Sequence, residues 1–258
     1  MTIKALTLHQ PWASLVIGGY KCFETRSWST DDRGLIAIHA GNNRSALELT
    51  DIKAVCYHFE IPLSRSMPFG SVLGICRLVN IYSTESLLGK ISEQERRLGD
   101  FSKGRFGWQM QVLHKFDTPV PMNGQQGLWE YQHTCELYTA QMRVTDTDAI
   151  DTTIKSADTP EGKAFAPRWD MVMESKRGEL ADGEYDTRYY KLLGERYKQD
   201  PTPFLKVLAR PRVVLKCYCA HAEGCHRGLL VDILQKIGAV RGVDVVYGGE
   251  ILHEKRAR

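Results

Sequence analysis

Residues 10–26, QPWASLVIGGYKCFETR, bring three local structural signals together in one short stretch. Pro11 suits the first turn of a helix, and Gly18 with Gly19 suits its end, so the apolar residues between them predict one short helix. Residues 20–26 then read as a strand. The stretch therefore predicts a helix followed directly by a strand.

Further strands are predicted on the carboxyl-terminal side of this stretch. Leu35–Ala40 alternates in the manner of a strand, and Ser71–Ile81 is nearly continuously apolar, as a strand buried on both faces would be. Phe106–Val112 alternates again between large apolar and small or polar residues. Several short strands with one or two helices predict a small barrel for the first half.

The second half has a different pattern. Longer helical stretches begin after Gly127–Thr134, so we predict two domains, residues 1–135 and 136–258. Val213–Cys219 reads as a strand, Cys225–Ile237 as a helix closed by Gly238, and Val243–Tyr247 as a strand. This β-α-β unit predicts an α/β domain with parallel strand pairing.

Composition and charge limit the classes of protein to which this chain can belong. With 258 residues, 43% hydrophobic and 25% charged, the chain is typical of a folded soluble protein. It carries a net charge of +3, nearly balanced in each half, which does not indicate a long surface that follows a phosphate backbone. No apolar run has the length of a membrane span, and no signal peptide is recognisable. The cysteine count of seven is odd, and four of them lack disulfide spacing: Cys22, Cys56, Cys76 and Cys135. We therefore expect free thiols in the cytoplasm.

The segment from Gly19 to Arg26 has the form G-x-K-x-x-E-x-R and is the first candidate site. Glu24 and Arg26 have the same parity in a strand and share a face, whereas Lys21 has the opposite parity. The three side chains can converge only if the strand bulges or begins late. Convergence would create a ligand site; the alternative is a surface ion pair of little consequence.

Several motifs in the first half occur in a recognisable order. They are Gln10–Trp12, the segment just described, Ser27-Trp28, Ile38–Ala40, Phe106–Trp108 and Gly124–Trp129. Over residues 3–132 the chain resembles the activating signal cointegrator homology (ASCH) domain. The resemblance implies a β-barrel related to the PUA fold, with a cleft that binds RNA, a nucleotide or a nucleoside. The residues expected to line that cleft are Lys21, Glu24, Arg26, Ser27, Trp28 and His39.

The chemistry of these residue types suits such a ligand. Lys21 and Arg26 can hold a phosphate or a base oxygen, and Glu24 can accept from an exocyclic amine. Trp12 or Trp28 can stack on a base. In the alternative interpretation both tryptophans belong to the core, and the histidine at position 39 is a satisfied structural residue.

The resemblance leaves the activity open. Some ASCH proteins are amidohydrolases of acetylated cytidine that use a lysine, a threonine three residues later and a glutamate on another strand. Lys21 matches the lysine, but Glu24 occupies the threonine position, Thr25 lies one residue away, and the strand Ser71–Ile81 contains no glutamate. Other ASCH proteins are ribonucleases or non-catalytic nucleic-acid binders.

The second candidate site lies between residues 217 and 227, CYCAHAEGCHR. Cys217 and Cys219 end a predicted strand, and Cys225, His226 and Arg227 open the next helix. A helix N-terminus attracts anions and lowers the pKa of a nearby thiol. Cys225 is therefore a candidate thiolate and His226 or His221 a candidate base, with Arg227 expected to bind the ligand.

Two alternatives apply to the same segment. Cys217, Cys219, Cys225 and His226 supply the four ligands that zinc requires, although their spacing is not a usual finger pattern. The first two cysteines are equally consistent with buried small hydrophobic residues. Residues 136–252 also resemble an uncharacterised α/β family with a Cys-His-Arg signature, frequent in bacteria and phages. That resemblance implies a fold and a site but no reaction.

Together these features predict a two-domain cytoplasmic protein: an α+β PUA-like barrel with helices, followed by an α/β domain. Its expected partner is a nucleoside, a nucleotide or single-stranded RNA. If it is an enzyme, we expect a hydrolase in which the catalytic residues are Lys21, Glu24, Cys225 and His226. The alternative is a non-catalytic RNA reader that tethers a zinc-binding or protein-binding domain. No cofactor is expected apart from zinc in that alternative, and no membrane partner.

Overall fold

A computed structural model describes residues 1–44, 50–60, 67–222 and 224–252. The chain divides into two compact units, residues 2–131 and residues 132–258. The helices in the described ranges are all too short or too polar to cross a membrane.

The first unit contains six strands and four helices among its described residues. The strands are β1 (Thr2–Leu8), β2 (Phe23–Arg26), β3 (Gly34–Ala40), β4 (Ser71–Ser83), β5 (Phe106–Pro121) and β6 (Leu128–Gln132). The helices are α1 (Trp12–Ile17), α2 (Thr50–His58), α3 (Thr84–Leu87) and α4 (Glu93–Arg97). The predicted helix and strand of residues 10–26 are therefore present as α1 and β2.

The strands of the first unit form one mixed sheet in the order β2-β5-β4-β3-β1-β6. β1 and β3 are parallel, whereas β3, β4 and β5 form an antiparallel meander and β2 adds to β5. The predicted closed barrel is not confirmed, because the described part of this sheet ends at β2 on one side and β6 on the other. Its core lies where α1 packs on the sheet, through Ala13, Val16 and Ile17 against residues such as Ile38 and Trp108.

The second unit alternates strands and helices. Its strands are β7 (Thr134–Gln141), β8 (Ala149–Asp151), β9 (Arg212–Cys217) and β10 (Asp244–Ile251). Its helices are α5 (Pro160–Phe165), α6 (Trp169–Lys176), α7 (Glu184–Gln199), α8 (Thr202–Leu208) and α9 (His226–Arg241). The sheet order is β10-β7-β9-β8, with every adjacent pair parallel, as the sequence predicts for an α/β unit.

The predicted β-α-β unit is present as β9, α9 and β10, with two differences. β7 lies between the two strands, so α9 crosses over a strand that the sequence did not reveal. The helix also continues past Gly238 to Arg241 and is capped by Gly242, which has the left-handed φ of 76°. Gly238 has another role: a Cβ there would lie 2.3 Å from a methyl group of Val245. The missing side chain allows α9 to pack closely on β10.

Candidate functional site

The turn between α1 and β2 determines where Lys21 lies. α1 ends at Gly18, Gly19 adopts φ 77°, and the backbone N–H groups of Tyr20 and Lys21 both donate to the carbonyl of Leu15. β2 begins only at Phe23, so Lys21 precedes the strand and the parity of strand residues does not apply to it. The late beginning of the strand allows all three charged residues of the motif to converge.

The three charged side chains form a buried chain of alternating charge. Lys21 is only 1% exposed; its Nζ donates to the carbonyl of Phe23 and lies 3.6 Å from Glu24 Oε2. Glu24 Oε1 in turn lies 3.3 Å from Arg26 Nε. The Arg26 side chain is 26% exposed, which makes it the most accessible of the three charged side chains. The G-x-K-x-x-E-x-R segment is therefore more than a surface ion pair.

Glu95 is a further charged residue at this place, and sequence reasoning missed it. Its carboxylate accepts the N–H groups of Cys22 (2.8 Å) and Phe23 (2.9 Å) and lies 3.9 Å from Lys21 Nζ. The residue belongs to α4, which is capped by the Ser92 hydroxyl accepting from the Glu95 N–H. The Ser-x-x-Glu spacing signals this helix start. Nothing in that spacing shows that the carboxylate reaches a loop more than 70 residues away in the sequence.

These residues form part of the wall of a cleft of about 430 Å³. Trp12 is half-buried beside it, with its ring fixed by a 3.0 Å hydrogen bond from Nε1 to the carbonyl of Leu98. Arg26 Nη2 donates to the carbonyl of Thr7 at 3.1 Å. The cleft is lined by Thr7, Leu8, His9, Trp12, Lys21, Glu24, Thr25, Arg26, Arg97, Leu98, Gly99 and Asp100.

Three residues expected in the cleft lie outside its lining. Ser27 is exposed, and Trp28 packs against the core with its ring edge-on to Trp108 at 4.6 Å between centroids. His39 is 1% exposed, and its Nε2 donates to the carbonyl of Met122 at 3.1 Å. Burial lowers the pKa of His39. These positions agree with the alternative interpretation, in which Trp28 belongs to the core and His39 is a structural residue.

The second candidate site brings three thiols and an imidazole together. The sulfur atoms of Cys217, Cys219 and Cys225 all lie within 4.8 Å of one another. His226 Nδ1 is 3.9 Å from the Cys217 sulfur and 3.8 Å from the Cys225 sulfur. All seven cysteines of the chain are free thiols.

The hydrogen bond between two of these thiols sets their pKa values in opposite directions. The Cys225 thiol donates to Cys217, which lowers the pKa of Cys217 against the effect of burial. The same bond, together with burial, raises the pKa of Cys225. Cys225 as a thiolate stays a prediction, and Cys217 is the thiol of this cluster whose pKa is lowered.

Arg227 is not placed to bind a ligand from solvent. Its side chain is fully buried, and Nη1 donates to the carbonyls of Ala140, Cys217 and Cys219 at 3.0–3.3 Å. Nη2 donates to the Glu250 carboxylate. The guanidinium therefore holds the backbone of two of the three clustered cysteines.

A second cleft of about 360 Å³ occurs in the same unit. Arg168 and Asp170 line it and are paired at 2.7 Å, and Lys155 lies over the ring of Trp169 at 5.0 Å. Arg168 and Asp170 therefore pair with each other beside the cleft, and Lys155 contacts an aromatic ring.

Comparisons with known proteins concern the first unit. The family model described as the ASCH domain matches residues 6–120. Activating signal cointegrator 1 from Mus musculus and from Homo sapiens are each 28% identical over 130 residues, 48% of this chain. The matched segment is 22% of the length of each relative. The crystal structure of ASCH from Zymomonas mobilis has 17% identity, covering 50% of this chain and 87% of its own, with a TM-score of 0.33.

The family match spans the strands and the turn that position Lys21, Glu24 and Arg26, and it includes Glu95 and the remainder of the cleft lining. Residues 6–120 of this chain are therefore an ASCH domain.

Proposed function

We propose that the cleft of the ASCH domain binds a nucleoside, a nucleotide or one nucleotide of a single-stranded RNA. The observation that carries this proposal is the buried chain of Lys21, Glu24 and Arg26 in the cleft wall, beside the half-buried ring of Trp12. The ASCH family is associated with RNA binding, which agrees with this assignment.

Buried charges of this kind are a poor means of stabilising a fold. Removing two charges from water costs several kcal/mol per ion, and their mutual attraction seldom exceeds that cost by much. Departures from an apolar interior are typical of functional sites. Lys21 and Glu24 are therefore best explained by a ligand that needs an oriented carboxylate and a fixed positive charge.

The different exposures of the two cations assign them different roles. The ammonium of Lys21 is enclosed and fixes Glu24, whereas the Arg26 side chain is 26% exposed in the cleft wall. We assign Arg26 to direct contact with a phosphate or base oxygen. Glu24, held between two cations, presents a carboxylate to an exocyclic amine, which favours cytosine over uracil.

The size of the cleft agrees with a small ligand. Its volume of about 430 Å³ lies in the range of about 300–1,000 Å³ that is usual for small-molecule sites. The lining combines Lys21, Arg26 and Arg97 with Glu24 and Asp100, so its charge is only slightly positive. A single nucleotide fits this volume and charge better than a long stretch of RNA backbone does.

Calorimetric titration with cytidine and uridine monophosphates tests the proposal. We expect Arg26→Gln to weaken binding of the cytidine nucleotide about ten-fold, the effect of losing about 1.4 kcal/mol from a charged hydrogen bond. Arg33→Gln is the matched control, because Arg33 is an exposed arginine of the same unit that bonds to the carbonyls of Thr30 and Asp32. Glu24→Gln should reduce the preference for cytidine.

Two results would contradict this proposal. One is equal binding by the Arg26 and Arg33 variants, and the other is no binding of either nucleotide or of a short oligocytidine by the unaltered protein.

The salt dependence of binding distinguishes a nucleoside from single-stranded RNA as the ligand. Binding of single-stranded RNA through two phosphates should show a log–log slope of about −1.4, whereas a nucleoside should show almost none.

Hydrolysis of an acylated base amine is the second candidate. Lys21 and Glu24 lie in the wall of one cleft with Thr25, the residue types that such amidohydrolases use. The Thr25 hydroxyl, however, accepts from the Asp100 N–H at 3.1 Å and so has a structural contact. The test is release of cytidine and acetate from acetylated cytidine, which Lys21→Met should abolish.

A further inference from the structure

The cluster at the end of β9 has the composition and the spacing of a metal site. Cys217 ends β9, Cys219 lies in the following loop, and Cys225 and His226 are at the beginning of α9. Three thiols and one imidazole from a strand, a loop and a helix therefore come together within a few ångströms. Thiolate and imidazole are the ligands that zinc takes in structural sites.

The distances are close to those of a tetrahedral zinc site. With zinc–sulfur bonds of about 2.3 Å, two coordinated sulfur atoms lie about 3.8 Å apart, and a sulfur and an imidazole nitrogen lie about 3.5 Å apart. The sulfur atoms of Cys217 and Cys219 are 3.7 Å apart. His226 Nδ1 is 3.9 and 3.8 Å from two of the sulfurs. The atoms that all lie within 4.8 Å of one another are the three sulfurs without the imidazole, so Cys219 and His226 would move closer together on binding the ion.

The hydrogen bonds of His226 select the tautomer that binds a metal. Its Nε2 lies 3.1 Å from the carbonyl oxygen of Thr152, which can only accept. Nε2 also lies 2.9 Å from the Thr152 hydroxyl, whose own hydrogen is directed to the carbonyl of Lys216. Nε2 therefore carries the proton, and the unprotonated Nδ1 faces the sulfurs. Metal-binding histidines donate a hydrogen bond to such an acceptor from the ring nitrogen that does not bind the metal.

Arg227 stabilises the backbone of the proposed ligands. Its guanidinium donates to the carbonyls of Cys217 and Cys219, and so fixes the backbone of two proposed ligands. Three thiolates and one zinc ion together carry a charge of −1. That charge lies at the N-terminus of α9, where the helix dipole favours a negative group. Arg227 is thus a positioning residue for this cluster.

We propose that Cys217, Cys219, Cys225 and His226 bind one zinc ion as a structural Cys3His site. Thiolate ligands favour zinc over magnesium or calcium, which prefer oxygen ligands. The bound ion would fix the loop between β9 and α9 on the end of the parallel sheet. This assignment is independent of the ASCH cleft and of the ligand that the cleft takes.

Zinc itself is the probe for the test. The full chain is stripped with a chelator under reducing conditions, titrated with zinc and analysed by plasma mass spectrometry. We expect about one zinc per chain. Cys219→Ser should weaken zinc binding about 100-fold or more, since the loss of a mere outer-shell partner of a ligand already costs about 10- to 100-fold. Cys219 is exposed, so its substitution leaves the core of the unit intact.

Cys22→Ser is the matched control, because Cys22 is also an exposed free thiol but lies in the other unit. It should bind zinc as the unaltered chain does. Cobalt substitution adds a spectroscopic measurement: the sulfur-to-cobalt charge-transfer absorption should correspond to three thiolates, and to two in the Cys219 variant. No zinc in the reduced, titrated chain, or equal zinc affinity in the Cys219 and Cys22 variants, would overturn the proposal.

Discussion

The buried ammonium of Lys21 should be needed for the stability of the ASCH domain, and Lys21→Met removes it while keeping the length of the side chain. Two carboxylates then lose a cationic partner, at 3.6 Å for Glu24 and 3.9 Å for Glu95. With an effective dielectric constant of about 20, each contact represents about 4–5 kcal/mol of gross attraction. Removing one partner of a buried pair usually costs about 3–5 kcal/mol.

The structure places this substitution at the lower end of that range. Glu24 keeps Arg26 as a partner, and Glu95 keeps its two backbone N–H donors. We therefore expect the free energy of unfolding to fall by about 3 kcal/mol. Urea unfolding of the full chain followed by tryptophan fluorescence is the assay, because four of the five tryptophans lie in residues 2–131: Trp12, Trp28, Trp108 and Trp129.

Lys4→Met is the control for the general effect of removing a lysine. Lys4 lies in the same unit and pairs with Glu130 at 3.7 Å, but both side chains are well exposed. Its loss should change the free energy of unfolding by less than about 1 kcal/mol. If the two variants lose the same stability, the charge at position 21 is solvated and the reasoning about a buried charge chain is refuted.

Two further predictions concern a histidine and a helix glycine. Burial lowers the pKa of His39, so the unfolded chain takes up its proton first, and the ASCH domain loses stability as pH falls below about 6.5. His39→Gln should flatten this pH dependence in urea unfolding between pH 7 and 5, and parallel curves would contradict it. Gly238→Ala places a methyl group 2.3 Å from Val245, and should destabilise the second unit by about 1–3 kcal/mol in thermal unfolding followed by circular dichroism. Gly194→Ala, with open space around it in α7, should instead stabilise that unit by up to about 1 kcal/mol, and the same sign for both would be evidence against close packing.

The local signals in the sequence predicted elements better than their assembly. The helix and strand of residues 10–26, the apolar strand from Ser71 and the alternating strand from Phe106 are present because hydrophobic period and turn residues act over a few positions. The closed barrel is not confirmed, since closure depends on which strands meet at the sheet edges. The prediction that the helix ends at Gly238 was wrong. Sequence alone does not distinguish a glycine that close packing on β10 requires from a glycine that ends a helix.

The same distinction applies to the candidate sites. Sequence spacing pointed to Lys21, Glu24 and Arg26 because they lie within six residues of each other, and it stated the condition under which they converge. Glu95 was missed because its contacts with residues 22 and 23 are non-local. Arg227 was expected to face a ligand, and only the packing of β7 and β10 around α9 shows that it is enclosed by carbonyls and Glu250.

The position of β7 between β9 and β10 has a consequence for how the protein is made. Its two ladders pair Glu136 with Arg212 and Thr134 with Asp244. During synthesis, the first strand of the second unit must therefore wait for more than seventy residues before its first neighbour exists, and for still longer before its second. Such non-local pairing slows folding and leaves strand edges open to other chains. The ASCH domain can complete its sheet first, whereas β7 has no partner strand until β9 has been synthesised.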